Sequence, residues 1–460
     1  MNPRSSRLLP LLLAAIIPML GSLRAATDDV SALFAQAERN IEQHRKGDIR
    51  LRVVDAAGRP VAGVPVLVEQ RTHHFRFGSI IFELLDEQHF TPEQRALFDE
   101  RFTRLFNLAI FPFYWDGYEP VPGRPEWQRL LRVTEWARAR GIVCKGHPLA
   151  WTHPAGMPPW LRDLPPETTK ALLQARIVDN VKGFAGTIDL WDVANETANT
   201  ITWDSALRLA GRDEGARYDD QGPSIPSIAD WVEPCYRWAH AANPKATLLL
   251  NDFGLIAWPR TRERFVALVK ELQRRGMPLH GIGVQAHEPR SEWFPPQKVW
   301  ATFEQLSKLG LPIHITEFHP HSLPGTAITG GYREGNWSEE AQAEFAREMY
   351  TLAFGHPAVA SFTWWDFTEN DSFIKGSALL NKDFSPKPAY RVIDELLNHR
   401  WKTRTRLVTD ANGYASVRGF YGDYAVRAEA DAATAPSAAP AKTFAHVPGV
   451  ATEWTLTLDR

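Results

Sequence analysis

The sequence has few cysteines and no excess of charge of either sign. Its 460 residues include two cysteines, Cys144 and Cys235, which give no disulfide framework and are expected to be buried free thiols. The 52 basic side chains nearly balance the 54 acidic ones, so no charged surface points to nucleic acid or to an anionic membrane. These absences disfavour a disulfide-stabilised scaffold and a nucleic-acid-binding protein.

The apolar run at the start of the chain is too short to cross a bilayer. It extends from Leu8 to Leu20, whereas a spanning helix needs ~20 apolar residues. Arg4 and Arg7 precede the run and small residues follow it, which is the pattern of a secretory signal. We therefore predict a signal peptide over residues 1–25 and a secreted or periplasmic protein with no membrane contact after its removal. A signal retained as an anchor is the alternative.

Two common site motifs are also missing. No Gly-x-Gly-x-x-Gly follows the first predicted strand, which disfavours an open dinucleotide-binding sheet. No His-x-x-x-His pair occurs, and His319-Pro-His321 has no third ligand at a recognisable spacing. We therefore predict no metal site.

Strands and helices alternate along the central part of the chain, over residues 75–400. Amphipathic helices, for example at 92–105, separate short apolar strands. Eight such units predict an α/β fold, a (β/α)8 TIM barrel, whose enzymes carry their site at the C-terminal ends of the strands. The predicted strands are 75–81, 106–113, 142–150, 188–194, 247–251, 281–285, 312–316 and 359–365.

The two flanks of this region are rich in predicted strands. Residues 26–74 contain a helix and then two strands, and residues 401–460 contain three strands followed by an Ala- and Pro-rich loop at 431–443. Neither flank has enough strands to be stable alone, and the termini of a domain often lie close together. We therefore predict one small accessory β-sandwich built from both flanks, with structural support favoured over carbohydrate binding.

Two glutamates stand just past predicted strands and lie 121 residues apart, at Glu196 and Glu317. A carboxyl at the end of a buried strand is costly unless it has a task. Since the strand ends of a barrel converge, both glutamates are expected to face one pocket. Two facing carboxyls can cleave a glycosidic bond, one as acid and one as nucleophile or base.

Other polar and aromatic residues occupy the same strand ends. We expect Asn195 to hydrogen-bond a sugar hydroxyl and His287 to hydrogen-bond Glu317 and keep it ionised. Trp151 and Trp365 are candidates for stacking on sugar rings. The predicted substrate-binding residues are His147, Trp151, Asn195, Gln285, His287 and Trp365.

Several separated motifs resemble those of glycoside hydrolase family 10, the β-1,4-xylanase family. The resemblance covers about 320 residues and implies a retaining double displacement, with Glu317 as nucleophile and Glu196 as acid/base. It also implies an oligosaccharide or polysaccharide substrate and no cofactor. The motifs are Trp191-Asp-Val-Ala-Asn-Glu196, Ile315-Thr-Glu317, Gly146-His147 with Leu149 and Trp151, Gly281-Ile-Gly283 with Gln285 and His287, and Lys387-Pro-Ala-Tyr390.

The chain departs from the family pattern at four places around the expected cleft. Phe111-Pro-Phe-Tyr-Trp115 replaces a polar Glu-Asn-x-x-Lys segment, Thr152 replaces a histidine, His319 an aspartate and Phe373 a tryptophan. Tyr114, Trp115, His319 and Phe373 are therefore possible contacts with a different sugar. We predict that His319→Asp moves the acidic limb of the pH–rate profile, and that the loop 320–337 covers part of the cleft.

Three functions remain open at this point. The first is secreted, retaining cleavage of xylan-type plant polysaccharide. The second keeps the mechanism but acts on another β-glycan or a small β-glycoside. The third is a non-catalytic carbohydrate-binding barrel, which the retention of both Glu196 and Glu317 disfavours.

Overall fold

The computed structural model describes residues 16–86, 90–162, 164–198, 224–429 and 441–458. Its central part is a closed barrel of parallel strands, in which the last strand pairs with the first. The predicted (β/α)8 barrel is thus confirmed. The strands of the chain before and within the barrel are β1 Lys46–Val54, β2 Pro65–His73, β3 Arg76–Ile80, β4 Leu108–Pro112, β5 Val143–His147, β6 Ala150–Trp151, β7 Ile188–Asn195, β8 Thr247–Asp252, β9 Gly281–Val284, β10 Ile313–Phe318 and β11 Val359–Trp364.

Within the barrel, β5 and the two-residue β6 together form the third strand, and both pair with β7. The close approach of these strands requires a glycine at Gly146. A Cβ there would lie 2.2 Å from the ring of Trp191, a distance that no side chain tolerates. This packing fixes the spacing between the two strands that carry His147 and Glu196.

Helices surround the barrel and begin at recognisable signals. Thr91 and Gln94 form a capping box at the start of α2, and Ser338 caps α9 through its hydroxyl. The helices are α1 Ile16–His44, α2 Pro92–Leu105, α3 Trp115–Tyr118, α4 Trp127–Arg138, α5 Pro166–Gly183, α6 Ile225–Ala242, α7 Pro259–Arg274, α8 Pro296–Ser307, α9 Glu339–Gly355 and α10 Pro388–Glu395.

The flanks combine into two sheets that share one core. The remaining strands are β12 Arg404–Val408, β13 Tyr414–Phe420, β14 Gly422–Ala428, β15 Lys442–His446 and β16 Thr452–Thr457. One sheet has the order β13-β1-β16 and the other β12-β2-β14-β15. Leu51 and Trp454 from the first sheet pack against Val68 and Tyr424 from the second. The flanks thus form the expected sandwich, with two more strands, β15 and β16, than the sequence predicted.

The sandwich is joined to the barrel through Arg45 and a group of aromatic rings. The buried guanidinium of Arg45 donates to the main-chain oxygens of Phe354, His356 and Val359 at 2.7–2.8 Å. The ring of Phe354 also contacts Phe420 of β13, with ring centroids 6.1 Å apart. The two parts therefore share a buried, hydrogen-bonded junction.

The predicted signal peptide falls only partly on described residues. Residues 1–15 lie outside them, and α1 begins at Ile16, inside the predicted signal peptide 1–25. Farther along α1, Ala37 and Ile41 are buried in the main core. No helix in the described part of the chain combines the length and apolar character that crossing a membrane requires.

Candidate active site

A cleft of about 800 Å³ opens at the C-terminal ends of the barrel strands. This is the position at which barrel enzymes carry their catalytic groups. Ten of the twelve residues singled out from the sequence line it, namely Tyr114, His147, Trp151, Asn195, Glu196, Gln285, His287, Glu317, Trp365 and Phe373. Two others, Trp115 and His319, do not line it.

Glu196 follows β7 directly and has a left-handed backbone conformation, with φ 54°. Its amide N–H donates to the main-chain oxygen of Asn251 at 2.9 Å. On the side chain, Oε2 accepts from Nε1 of Trp151 at 2.9 Å and Oε1 accepts from Nε2 of Gln285 at 3.1 Å. The carboxyl is thus held by side chains from the ends of two other strands, β6 and β9.

Glu317 lies inside β10 and is almost fully buried. Its Oε1 accepts a hydrogen bond from Nδ2 of Asn251 at 2.7 Å. Burial, followed by the negative charge of Glu196, raises the pKa of Glu317 well above its usual range, while the Asn251 hydrogen bond opposes that rise. Since like charges in one site resist double ionisation, the two carboxyls are expected to hold one proton between them.

His287 does not hydrogen-bond Glu317 as expected. Its Nε2 is 3.8 Å from Oε2 of Glu317 and instead lies 2.6 Å from Oε1 of Gln285. Burial lowers the pKa of His287 well below its ordinary value, so the ring is neutral and brings no positive charge to the carboxylate. The expectation was wrong because the Gln285 amide competes for the same ring nitrogen.

Three amide side chains connect the two glutamates. Oδ1 of Asn195 accepts from Nδ2 of Asn251 at 2.9 Å and from Nε2 of Gln285 at 3.3 Å. The same two donors bind the carboxyls of Glu317 and Glu196. We call these five residues the polar wall of the cleft: Asn195, Glu196, Asn251, Gln285 and Glu317. Because they are hydrogen-bonded to one another, their relative positions are fixed before a ligand arrives.

A buried charged group supports the polar wall from below. Oδ2 of Asp192 is 2.7 Å from Nζ of Lys145 and 2.7 Å from Nδ1 of His147. Burial opposes ionisation of Asp192, but these two partners together lower its pKa. Nε2 of His147 then faces Oε1 of Glu317 at 3.8 Å. Lys145 and Asp192 were not predicted as site residues, although charged residues within apolar strands were a visible signal.

The opposite side of the cleft is formed by rings. Tyr114 contacts Phe82 edge-on at 6.0 Å and His147 at 5.6 Å between ring centroids. Trp365 contacts Phe82 at 5.7 Å. We call Phe82, Tyr114 and Trp365 the aromatic wall. Of these three residues, Tyr114 lies in the segment where the family pattern has hydrogen-bonding groups.

The strand 8 loop places Phe373 at the rim of the cleft. Its side chain is 60% exposed, and the guanidinium of Arg290 lies 4.9 Å from its ring centre. His319 lies beneath it, buried, with Nδ1 2.9 Å from the main-chain oxygen of Glu317. His319 therefore contacts the backbone of Glu317 and the ring of His287, 4.7 Å away, and burial lowers its pKa to about 3.

Two further expectations are corrected by the packing. Trp115 begins α3, which turns its ring into the core, where Nε1 donates to Oε2 of Glu119 at 2.9 Å. No residue of 320–337 lines the cleft. That loop packs against the segment after β9 instead, since the Trp337 and Trp293 rings stack at 5.5 Å.

Metal-ligating side chains do not cluster in the described part of the chain, which holds no group of three or more His, Cys, Asp or Glu side chains suited to a metal ion. Cys144 and Cys235 are buried and unpaired.

Comparison with known proteins agrees with this geometry. A sequence profile of glycosyl hydrolase family 10 matches residues 77–396, well over half of the chain and all of the barrel. The chain belongs to glycosyl hydrolase family 10. The family resemblance predicted from the motifs is confirmed.

The curated relatives of this family 10 chain include xylanases and a regulatory protein. Endo-1,4-beta-xylanase B of Thermotoga neapolitana is 28% identical over 301 residues, which cover 63% of this chain and 80% of the relative. The anti-sigma-I factor RsgI6 of Acetivibrio thermocellus is 28% identical over 398 residues, 85% of this chain and 46% of that protein. Endo-1,4-beta-xylanase 1 of Arabidopsis thaliana is 26% identical over 93% of this chain and 40% of its own length. The chain thus spans less than half of two of these relatives.

Solved structures share the barrel. Xylanase 10B from Thermotoga petrophila, in complex with xylobiose, matches with a TM-score of 0.56 at 24% sequence identity. The match covers 71% of this chain and 95% of the xylanase. At this identity the likeness establishes the fold of family 10 and no more.

Proposed function

We propose that this protein is a secreted, retaining glycoside hydrolase that cleaves β-1,4-linked xylan-type polysaccharide by double displacement. The observation that carries the proposal is the polar wall, in which Glu196 and Glu317 share one cleft and one chain of amide hydrogen bonds. Family membership and the endo-1,4-beta-xylanase names of several relatives support the substrate class.

In the first step Glu317 attacks the anomeric carbon and forms a glycosyl-enzyme ester. Glu196 gives its proton to the departing sugar oxygen as that bond breaks. This step requires Glu317 ionised and Glu196 protonated; the hydrogen bond from Asn251 favours the ionised form of Glu317, against the rise in its pKa that burial and the charge of Glu196 produce. The two carboxyls thereby take different roles in one buried site.

In the second step Glu196, now ionised, takes a proton from water. The resulting hydroxyl oxygen attacks the anomeric carbon, and the ester bond to Glu317 breaks. Two inversions at one carbon give retention of configuration. Asn195 accepts through Oδ1 from Asn251 and Gln285, and its amide nitrogen Nδ2 is the group that can donate to a sugar hydroxyl.

A second candidate keeps this mechanism and changes the sugar. Within the aromatic wall, Tyr114 supplies a ring surface in the segment where the family pattern has polar residues. Rings bind the apolar face of any pyranose and read few of its hydroxyls. If the aromatic wall determines specificity, the protein cleaves another β-glycan or a small β-glycoside.

Aryl glycosides test both candidates against a non-catalytic barrel. Wild type is compared with Glu317→Ala on aryl β-xyloside and aryl β-glucoside, and the configuration of the first product is read by NMR. We expect β product from wild type and a loss of turnover on the order of 10⁴-fold or more in the variant. Equal, background-level turnover by both proteins would exclude catalysis, and α product would exclude retention.

The proposal includes export of the protein. The Arg-preceded apolar run near the N terminus supports a signal at residues 1–25. Expression of the full chain, followed by N-terminal sequencing of protein from the periplasm and the medium, tests this. Recovery only in the cytoplasm with an intact N terminus would count against export.

A further inference from the structure

Asp252 is a buried carboxyl directly behind the turn that carries Glu196. It is the last residue of β8, and its side chain has no exposed surface. Oδ2 accepts the backbone N–H of Ala198 at 2.9 Å and Oδ1 accepts that of Phe253 at 2.9 Å. The backbone N–H of Thr197 donates to it as well. The Asp252 carboxyl is thus a hydrogen-bond acceptor for the backbone N–H groups around it.

The turn that it binds is strained. Glu196 has a φ of 54°, a conformation that a residue with a Cβ adopts at a cost of about 1–3 kcal/mol. The two amides that follow, of Thr197 and Ala198, both point at Asp252. On the other side, Nε of Arg264 donates to the main-chain oxygen of Ala198 at 3.0 Å. These bonds hold a conformation that Glu196 would not adopt alone.

We propose that Asp252 is a positioning residue for the acid/base: its carboxylate holds the turn 196–198 in the left-handed conformation that directs Glu196 into the cleft. The proposal rests on the proposed function of Glu196. In this conformation the Glu196 carboxyl accepts hydrogen bonds from both Trp151 and Gln285. If the turn relaxes, the carboxyl leaves the position from which it can protonate a leaving oxygen.

The chemistry of the acceptor is specific to an ionised aspartate. A carboxylate accepts at both oxygens, whereas asparagine offers one oxygen and an NH₂ group that would face a backbone N–H. Asp252→Asn therefore leaves a buried donor unpartnered while it keeps the size of the side chain. Burial raises the pKa of Asp252 to about 7, so the assays are run above that pH, where the carboxyl is ionised.

Leaving-group dependence separates positioning of an acid from general structural damage. An acid is needed to expel a poor leaving group and is not needed to expel dinitrophenolate. For Asp252→Asn we expect kcat/KM for a phenyl β-glycoside to fall by about 10- to 100-fold, part of the 10²–10⁴ that general acid catalysis contributes. The value of kcat/KM for the dinitrophenyl β-glycoside should stay within about 3-fold of wild type, because kcat/KM reports formation of the glycosyl-enzyme and not the later step in which Glu196 acts as base.

Two further variants make the result interpretable. Glu196→Gln should show the same difference between the two substrates, but larger. If Glu196→Gln shows no such difference, the acid role of Glu196 and this proposal are both wrong. Asp366→Asn is the matched control, because Asp366 is a buried strand-end carboxyl that also accepts backbone N–H groups, of Phe373 and Ile374. Asp366→Asn should lower kcat/KM for both substrates by the same factor.

This proposal is wrong, and the acid role of Glu196 stands, if Glu196→Gln loses kcat/KM mainly on the phenyl β-glycoside while Asp252→Asn lowers kcat/KM equally for both substrates. Circular dichroism and thermal unfolding confirm that each variant is folded before assay. Should Asp252→Asn fail to fold, Asp252→Glu takes its place, since it keeps the charge and moves it by one methylene. An equal fall in kcat/KM for both substrates in Asp252→Glu overturns the proposal in the same way.

Discussion

The two walls of the cleft differ in how their side chains are held. On the polar wall each carboxyl has an amide donor, and each donor serves two acceptors. On the aromatic wall the contacts are edge-on ring packing at 5–6 Å. A change in the polar wall should therefore spread to its neighbours and act on catalysis. A change in the aromatic wall should stay local and act on binding.

The largest effect is expected beneath the polar wall, at Lys145. Lys145→Met removes one partner of a fully buried ion pair and leaves Asp192 with a single neighbour, His147. Breaking a buried pair on one side costs about 3–5 kcal/mol of unfolding free energy. Urea denaturation measures this loss.

The control for Lys145→Met adds a second change, Asp192→Asn. Removing both charges should recover much of the lost stability, because no unpaired buried charge remains. If the single variant is as stable as wild type, the pair does not support the polar wall.

Within the polar wall, Asn251→Ala should lower kcat by about 10²–10³-fold, the usual result of deleting one preorganised donor. It removes the hydrogen bond to Glu317 and the bond that orients Asn195. Steady-state kinetics on an aryl glycoside measures it. Asn243→Ala is the control, because Asn243 binds Asp189 away from the cleft and should leave kcat unchanged. A kcat near wild type in Asn251→Ala would contradict the preorganised wall.

Behind the aromatic wall, Glu83 should make stability depend on pH. Oε1 of Glu83 accepts from the hydroxyl of Thr368 at 2.9 Å, and burial raises its pKa from 4.5 to about 8. The folded protein thus keeps a proton that the unfolded chain releases. This contribution to stability is complete below pH 4.5 and is lost as pH rises through about 8.

Thermal unfolding across that pH range tests the effect. Glu83→Gln should flatten the fall in Tm, whereas Glu126→Gln, a change at the surface, should not. An unchanged pH dependence in Glu83→Gln would show that the proton resides elsewhere.

A smaller effect is expected at His319. Its pKa of about 3 means that the native ring is neutral at working pH. His319→Asp introduces a buried negative charge near Glu317, which disfavours its ionisation. The acidic limb of the pH–rate profile should move to higher pH. His319→Asn is the neutral control, and an unmoved limb in His319→Asp would show that the two sites do not interact.

The smallest effect is expected on the aromatic wall. Tyr114→Ala removes a ring whose contacts are worth about 0.5–1.5 kcal/mol. KM should therefore rise by roughly 2- to 10-fold with kcat nearly unchanged. Trp115→Phe, one residue along but outside the cleft, should leave KM as it is. A large fall in kcat for Tyr114→Ala would remove the distinction between the walls.

The barrel was predictable because its signals are local. Several strands are short apolar runs that end in or are followed by a polar group, as Thr247–Asp252 illustrates. The last two strands of the sandwich were not predicted, because β15 is a half-exposed strand paired on one side only. Its pairing with β14 depends on residues that the local pattern does not reveal.

The positions of the site residues were predictable from the cost of burying carboxyls, but their partners were not. Which atom His287 meets depends on where the Gln285 amide points, and that is set by contacts between different strands. Asn251 was visible as a strand-end residue, yet its link to Glu317 spans two strands. Trp115 does not line the cleft because α3 begins at that residue and its ring is buried in the core.

The shared sheet of the two flanks has a consequence for the order of folding. β2 ends at His73 and β12 begins at Arg404, so about 330 residues must be bridged before these partners can pair. Closing so long a loop in an unfolded chain is entropically costly and slow. A folded barrel brings both ends to one place, so we expect amides of β1 and β16 to gain hydrogen-exchange protection after those of β8 during refolding. Hydrogen-exchange protection in the sandwich would then indicate that the barrel has already folded.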